Sequence, residues 1–140
     1  VAARVAAARR IQTARYDELH KVALEDSPPL LREALRQGGL DFNQIDYLIP
    51  HQTSARAIEK GMKNLAKGRG GPPKHVVANV EQYGNTASTT HFVALYRYLQ
   101  EGRFDKGDKV MLLSFASGLE VGVVIFPIDA ELMDRYGYDD

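Results

Sequence analysis

Two polar residues of this chain stand where side chains can do chemistry. His51 closes a short apolar run, Tyr47-Leu48-Ile49-Pro50, and Asn85 follows Gly84 in Tyr83-Gly84-Asn85-Thr86. A short apolar run closed by proline reads as a buried strand, so His51 falls at a strand's carboxyl end. Asn85 lies between a second strand candidate, Val76 to Val80, and a following helix. In open α/β sheets ligands bind outside the carboxyl ends of strands, where helix N-termini also point. An imidazole Nε2–H and an amide NH₂ converging there on one oxygen would stabilise an enolate or oxyanion, the electrostatic device that acyl transfer needs. Gly84 lets the backbone turn sharply ahead of Asn85. By residue type alone each has a plainer alternative. A histidine after a strand can be structural or merely exposed, and an asparagine before a helix can be a cap or turn residue. His20, His75 and His91 have no comparable setting and are assigned to the surface or to packing.

The elements that must position these residues follow from periodicity. Residues 1 to 24 are Ala-rich and favour a helix with a weak apolar stripe. Ser27 before Pro28 and Pro29 is an acceptable helix start; Leu30, Leu31, Ala34 and Leu35 make one face, and Gly38 and Gly39 stop it. After His51 a helix is expected with Ala55, Ile58, Met62 and Leu65 toward the sheet and Arg56, Lys60, Lys63 and Lys67 opposite. Gly68 to Pro73 is a loop by composition. Phe92, Leu95, Tyr96 and Leu99 form the apolar stripe of a further helix ending near Gly102, with Thr86 or Ser88 available as its cap. Lys109 to Phe115 and Glu120 to Phe126 read as two antiparallel strands. The order helix, strand, helix, strand, helix, strand, strand predicts an α/β domain with a mixed sheet and helices packed on it. Three parts are expected: residues 1–26 as a helical connector, 27–129 as the domain, and 130–140 as a C-terminal tail.

A chain of 140 residues with 44% hydrophobic content can bury a core without disulfides or metal. Eighteen basic and eighteen acidic residues cancel, so no global field draws the chain to nucleic acid, and recognition must come from local patches. No stretch approaches the roughly 20 apolar residues that span a bilayer, and the expectation is a soluble, cytoplasmic protein. Having no cysteine, the chain carries no thiol nucleophile, disulfide or thiolate metal site of its own. It begins with Val rather than Met, which suggests a piece of a longer protein, or a processed one. No Gly-x-Gly-x-x-Gly follows a strand, which disfavours a nucleotide-binding Rossmann unit.

At the chemistry-bearing residues the sequence resembles a known family. Asp46-Tyr47-Leu48-Ile49-Pro50-His51-Gln52, with Arg56 four residues beyond the Gln, is similar to the His-Gln-Ala-Asn-x-Arg motif of 3-oxoacyl-(acyl-carrier-protein) synthase III. Gly84-Asn85-Thr86-Ala87-Ser88 resembles that family's Gly-Asn-Thr-Ser-Ala motif. Gly107 to Phe115, with Gly118, resembles its closing hairpin and Gly-rich loop. Taken singly each motif is weak; in this order and spacing, across roughly residues 28 to 128, they are specific.

The resemblance implies the C-terminal half of a thiolase-like fold, whose N-terminal half supplies an acylated cysteine. It implies a decarboxylative Claisen condensation of an acyl thioester with malonyl-carrier protein, in which His51 and Asn85 hold the malonyl thioester oxygen and His51 acts as a neutral donor. Gln52, Ser54, Arg56, Gly84 and Gly118 are then expected to contact substrate or carrier. Coenzyme A and phosphopantetheine thioesters enter as substrates, with no cofactor or metal. The expected partners are acyl carrier protein, the Cys-bearing half and a second copy in a homodimer, with no nucleic acid or membrane. Arg56, Lys60, Lys63 and Lys67 could dock an acidic carrier protein or be an ordinary solvated face. Departures from the motif, Thr53 for Ala, Ser54 for Asn, Ala116 and Ser117 for glycines, and the Glu120-Val121 pair, bear on substrate identity rather than on the basic chemistry. The alternative is a non-catalytic thiolase-like module that recruits carrier protein or a partner.

Overall fold

Alternation along the central strands sorts the hydrophobic residues to two sides of one sheet in the computed structural model, which describes Lys21 and residues 28–65, 71–84, 86–116 and 120–137. The strands are β1 (Tyr47–Pro50), β2 (His75–Val76), β3 (Lys109–Ala116) and β4 (Glu120–Pro127), in the order β2-β1-β3-β4. β1 is parallel to both neighbours, and β3 and β4 are antiparallel. Successive residues of a strand face opposite ways. Leu48, Met111 and Leu113 accordingly join one buried cluster with Leu31, Leu35, Phe42 and Ile45, and Tyr47, Ile49 and Val110 join another with Val77, Ala94, Leu99, Phe104 and Ile128. Helices cover both faces, giving the expected α/β layers.

The first cluster is closed by helix α1, residues 28–37, and by α2 (Ala55–Leu65). α1 ends as its glycines predict. The Leu40 N–H reaches the Leu35 carbonyl at 2.9 Å and the Gly39 N–H reaches Arg36 at 3.1 Å, with Gly39 at φ +64°. That is the Schellman pattern, and it needs a residue that tolerates positive φ. Leu31 and Leu35 are buried, but Leu30 is half exposed and lies off the expected face. On α2, Ile58 is buried and Met62 packs against the cluster, while Arg56, Lys60 and Lys63 are exposed. Here the structure and the sequence periodicity agree.

Four expectations change. The second strand is the two-residue β2 rather than Val76 to Val80; Val80–Tyr83 forms a short helix, α3. The following helix, α4 (Thr90–Gln100), carries no side-chain cap from Thr86 or Ser88: the Thr89 hydroxyl instead donates to the Thr86 carbonyl at 2.9 Å. Its inward face is also rotated. His91, Ala94 and Leu99 are buried, whereas Phe92 and Tyr96 are 63% and 50% exposed. Finally, the segment expected as a tail carries helix α5 (Ala130–Tyr136), capped by Asp129 and packed through Leu132 and Met133 on the second cluster. The expected connector, residues 1–26, lies outside the described residues except for Lys21. Among the described residues no helix is long and apolar enough to cross a membrane.

Asp46 gathers the amino ends of the strands. Its carboxylate accepts the Lys109 N–H at 2.7 Å and pairs with Lys74, while its backbone carbonyl accepts the His75 N–H at 2.9 Å. Burial pushes its pKa upward, but the bonds from Lys74 and Lys109 outweigh that and hold it below the ordinary carboxylate value.

Candidate active site

The parallel arrangement of β1 and β3 brings their carboxyl ends to one edge, and His51 is the first residue beyond β1. Its backbone N–H donates to the Leu113 carbonyl at 2.9 Å, extending the β1–β3 ladder by one rung. His51 shares the parity of Tyr47 and Ile49, so the pleat sends its ring to the α4 side. The ring is half-buried there, 5.9 Å from that of His91 and tilted 52° to it. Burial pushes the His51 pKa below its ordinary 6.5, and the nearby His91 acts in the same direction. The result at neutral pH is an uncharged imidazole with one N–H to donate.

His91, assigned above to surface or packing, is 6% exposed, which bears out packing, and its ring lies beside that of His51. Its Nε2 lies 2.8 Å from the Leu113 carbonyl oxygen. A carbonyl only accepts, so Nε2 carries the proton. The signal was present in the sequence: His91, Ala94, Leu95 and Tyr98 also fall at i, i+3, i+4 and i+7, and these pack inward together with Leu99, while Phe92 and Tyr96 of the expected stripe face outward.

Gln52, expected among the substrate or carrier contacts, acts in the fold as a clamp. It is 1% exposed; its Nε2 donates to the carbonyls of Pro50 at 2.8 Å and Val77 at 3.0 Å, and its Oε1 accepts the Asn79 N–H at 2.9 Å. Both amide protons and the oxygen are thus engaged in tying the end of β1 to the chain beyond β2. Ser54 is likewise a helix cap: its Oγ accepts the Ala57 N–H at 3.1 Å and its carbonyl the Ile58 N–H at 3.0 Å. Arg56 is exposed on the first turn of α2, and Lys63 of the same basic side is paired with Glu59 at 2.7 Å. Gly84 ends α3 at φ +69°, a left-handed conformation that favours glycine, and so provides the turn expected of it.

Asn85, Gly118 and Lys67 lie outside the described residues. Position 85 is bracketed on both sides by contacts to α4. Arg97 lies over the Tyr83 ring at 5.7 Å, and the Thr86 and Thr90 hydroxyls are 3.2 Å apart. β3 continues past the Leu113 rung through Ser114, Phe115 and Ala116, so the hairpin overruns β1 at the edge where His51 sits.

Helices on both faces of a mixed sheet give the chain the α/β fold of thiolase-like enzymes, and comparison with solved structures agrees. The 3-oxoacyl-(acyl carrier protein) synthase III of Pseudomonas aeruginosa PAO1 superposes with a TM-score of 0.70 at 25% identity, over 81% of this chain and 34% of that one. The Aquifex aeolicus VF5 enzyme of the same name gives 0.68 at 28% identity, over 80% and 35%. In sequence, the beta-ketoacyl-[acyl-carrier-protein] synthase III of Symbiobacterium thermophilum is 37% identical over 107 residues, 76% of this chain and 31% of that protein. The model of the 3-oxoacyl-[acyl-carrier-protein] synthase III C-terminal domain matches residues 35–128. The chain belongs to that C-terminal domain family, and it spans about a third of the length of the curated relatives it matches.

Proposed function

We propose that this chain is the second half of a decarboxylative condensing enzyme, completing its site when joined to a half that bears an acylated cysteine. In the reaction, the bond between the malonyl carboxylate and the α-carbon breaks, CO₂ leaves, and the bonding pair becomes the enolate of the thioester. The enolate carbon attacks the acyl-cysteine carbonyl, and the cysteine leaves as thiolate. Stabilising the enolate oxygen requires preorganised donors rather than a base. His51 and Asn85 fill that role, His51 through the single N–H of a neutral ring. Acyl carrier protein is the partner that the relatives' names support; an acyl-coenzyme A or acyl-carrier-protein donor, and Arg56 of α2 as the carrier's contact, are further parts of the same proposal. A homodimer in the cytoplasm, without cofactor or metal, completes this reading.

The observation that carries it is the placement of His51: a half-buried, neutral imidazole one residue beyond a parallel strand, in a chain of this family. The test is substitution of His51 or Asn85 by alanine in the complete enzyme. Loss of one such donor slows malonyl decarboxylation by about 10²- to 10³-fold, while acylation of the cysteine from an acyl thioester stays near its original rate. Equal loss of both steps overturns the assignment, and a partner half without a cysteine that takes up acyl label turns it to a binding module.

A further inference from the structure

Leu113 is where the two imidazoles meet. Its carbonyl accepts the backbone N–H of His51 at 2.9 Å and the side-chain Nε2–H of His91 at 2.8 Å, which fills both lone pairs of one oxygen. His51 sits at the end of β1, Leu113 on β3 and His91 on the first turn of α4. One carbonyl therefore joins three elements at the edge where the site lies. The same turn of α4 holds Thr90, which is 2% exposed and whose hydroxyl lies 3.2 Å from that of Thr86, immediately after position 85.

We propose that His91 is the positioning residue of the site, its Nε2–H fixing the Leu113 carbonyl and so the distance between the turn that carries His51 and the turn that precedes α4. The inference rests on the reading of His51 and Asn85 as paired donors to one oxygen, for which the separation of the two turns matters. Two donors serve one oxygen only while both stay within hydrogen-bond reach of it, and a displacement of about 1 Å at a catalytic group can cost on the order of 10²-fold in rate. A leucine at position 91 would fill the buried space but leave the carbonyl one donor short. A glutamine could return an N–H close to where Nε2 now stands.

The test compares His91→Leu and His91→Gln in the complete condensing enzyme. His91→Leu is expected to lower kcat for malonyl decarboxylation by roughly 10-fold or more, with KM for the malonyl thioester and the rate of cysteine acylation each within about two-fold, and His91→Gln is expected to recover most of that loss. Unchanged kcat in His91→Leu, or no recovery in His91→Gln, makes His91 a packing residue and overturns the proposal. Should His91→Leu not fold, a folded His91→Gln enzyme that has itself lost 10-fold or more in kcat overturns it equally. Ring-nitrogen NMR of the unsubstituted protein gives a readout independent of turnover: the Nε2 of His91 is expected to carry a proton, and a bare Nε2 removes the bond on which the proposal stands. If His51→Ala leaves decarboxylation untouched, the functional reading fails; if His51→Ala is severe and His91→Leu is silent, only the positioning role fails.

Discussion

The properties of His51 come from its neighbours rather than from its type. A free imidazole is half protonated near pH 6.5, but partial burial, with His91 close by, disfavours the cation here. NMR titration of the ring is expected to give a midpoint below 6.5. The linkage has a definite sign: the unfolded chain binds a proton that the folded one resists, so His51 costs stability as the pH falls below 6.5, and that cost is complete once the pH is below the folded midpoint. A donor to an enolate oxygen is best left uncharged at working pH, where it strengthens its bond as charge develops instead of holding a permanent cation in a closed site. A midpoint at or above 6.5 would contradict the electrostatic account of the site.

At the scale of elements, short segments here hold their places through their ends. α5 has seven residues, too few to persist by propensity alone. It is held by the Asp129 side chain, which accepts the Leu132 N–H at 2.8 Å, and by Gln100 of α4, whose Nε2 donates to the Tyr136 carbonyl at 2.7 Å. Asp129→Ala is expected to cost about 1 kcal/mol in denaturant unfolding, with hydrogen-exchange protection lost first in residues 130–136 and the β1–β3 ladder unaffected. A uniform loss across the sheet would show that α5 unfolds only with the whole domain. The same logic explains β2, only two residues long yet fixed: Gln52 bonds the chain beyond it, and Tyr47 of β1 stacks on His75 at 4.8 Å.

For the whole molecule, Asp46 and His51 mark opposite ends of one strand and opposite duties. Asp46 binds the starts of β1, β2 and β3 into one edge, far from the proposed chemistry. Its folded pKa lies below the ordinary 3.8, so its contribution is present above that pH and is lost as the pH falls through the folded value. Because Lys74 is largely exposed, solvent screens that pair, and the Lys109 N–H supplies the more dependable part. Asp46→Ala is expected to destabilise the domain by about 2 kcal/mol at neutral pH. Asp46→Asn, which keeps an acceptor but cannot titrate, is expected to lose stability less steeply than the unsubstituted protein when unfolding is measured at successively lower pH. An acid limb of unchanged slope in Asp46→Asn would assign the acid sensitivity to other carboxylates.

Period and punctuation in the sequence determined the α/β class, β1, α2, the β3–β4 hairpin and the glycine stop after α1, because each depends on a local pattern of apolar residues or on one residue's backbone freedom. His51 was legible for the same reason: a proline-closed apolar run names its own carboxyl end. Tertiary structure decided what no local pattern contains. On α4 only contact with the sheet decides that the inward face runs through His91, Ala94 and Leu99 and leaves Phe92 and Tyr96 outside. Gln52 matches a motif, yet whether its amide meets a ligand or the protein depends on the carbonyls of Pro50 and Val77, brought together by the pairing of β1 with β2. The meeting of His51 and His91 at Leu113 depends on three elements distant in the chain, a long-range juxtaposition that residue type and spacing do not encode.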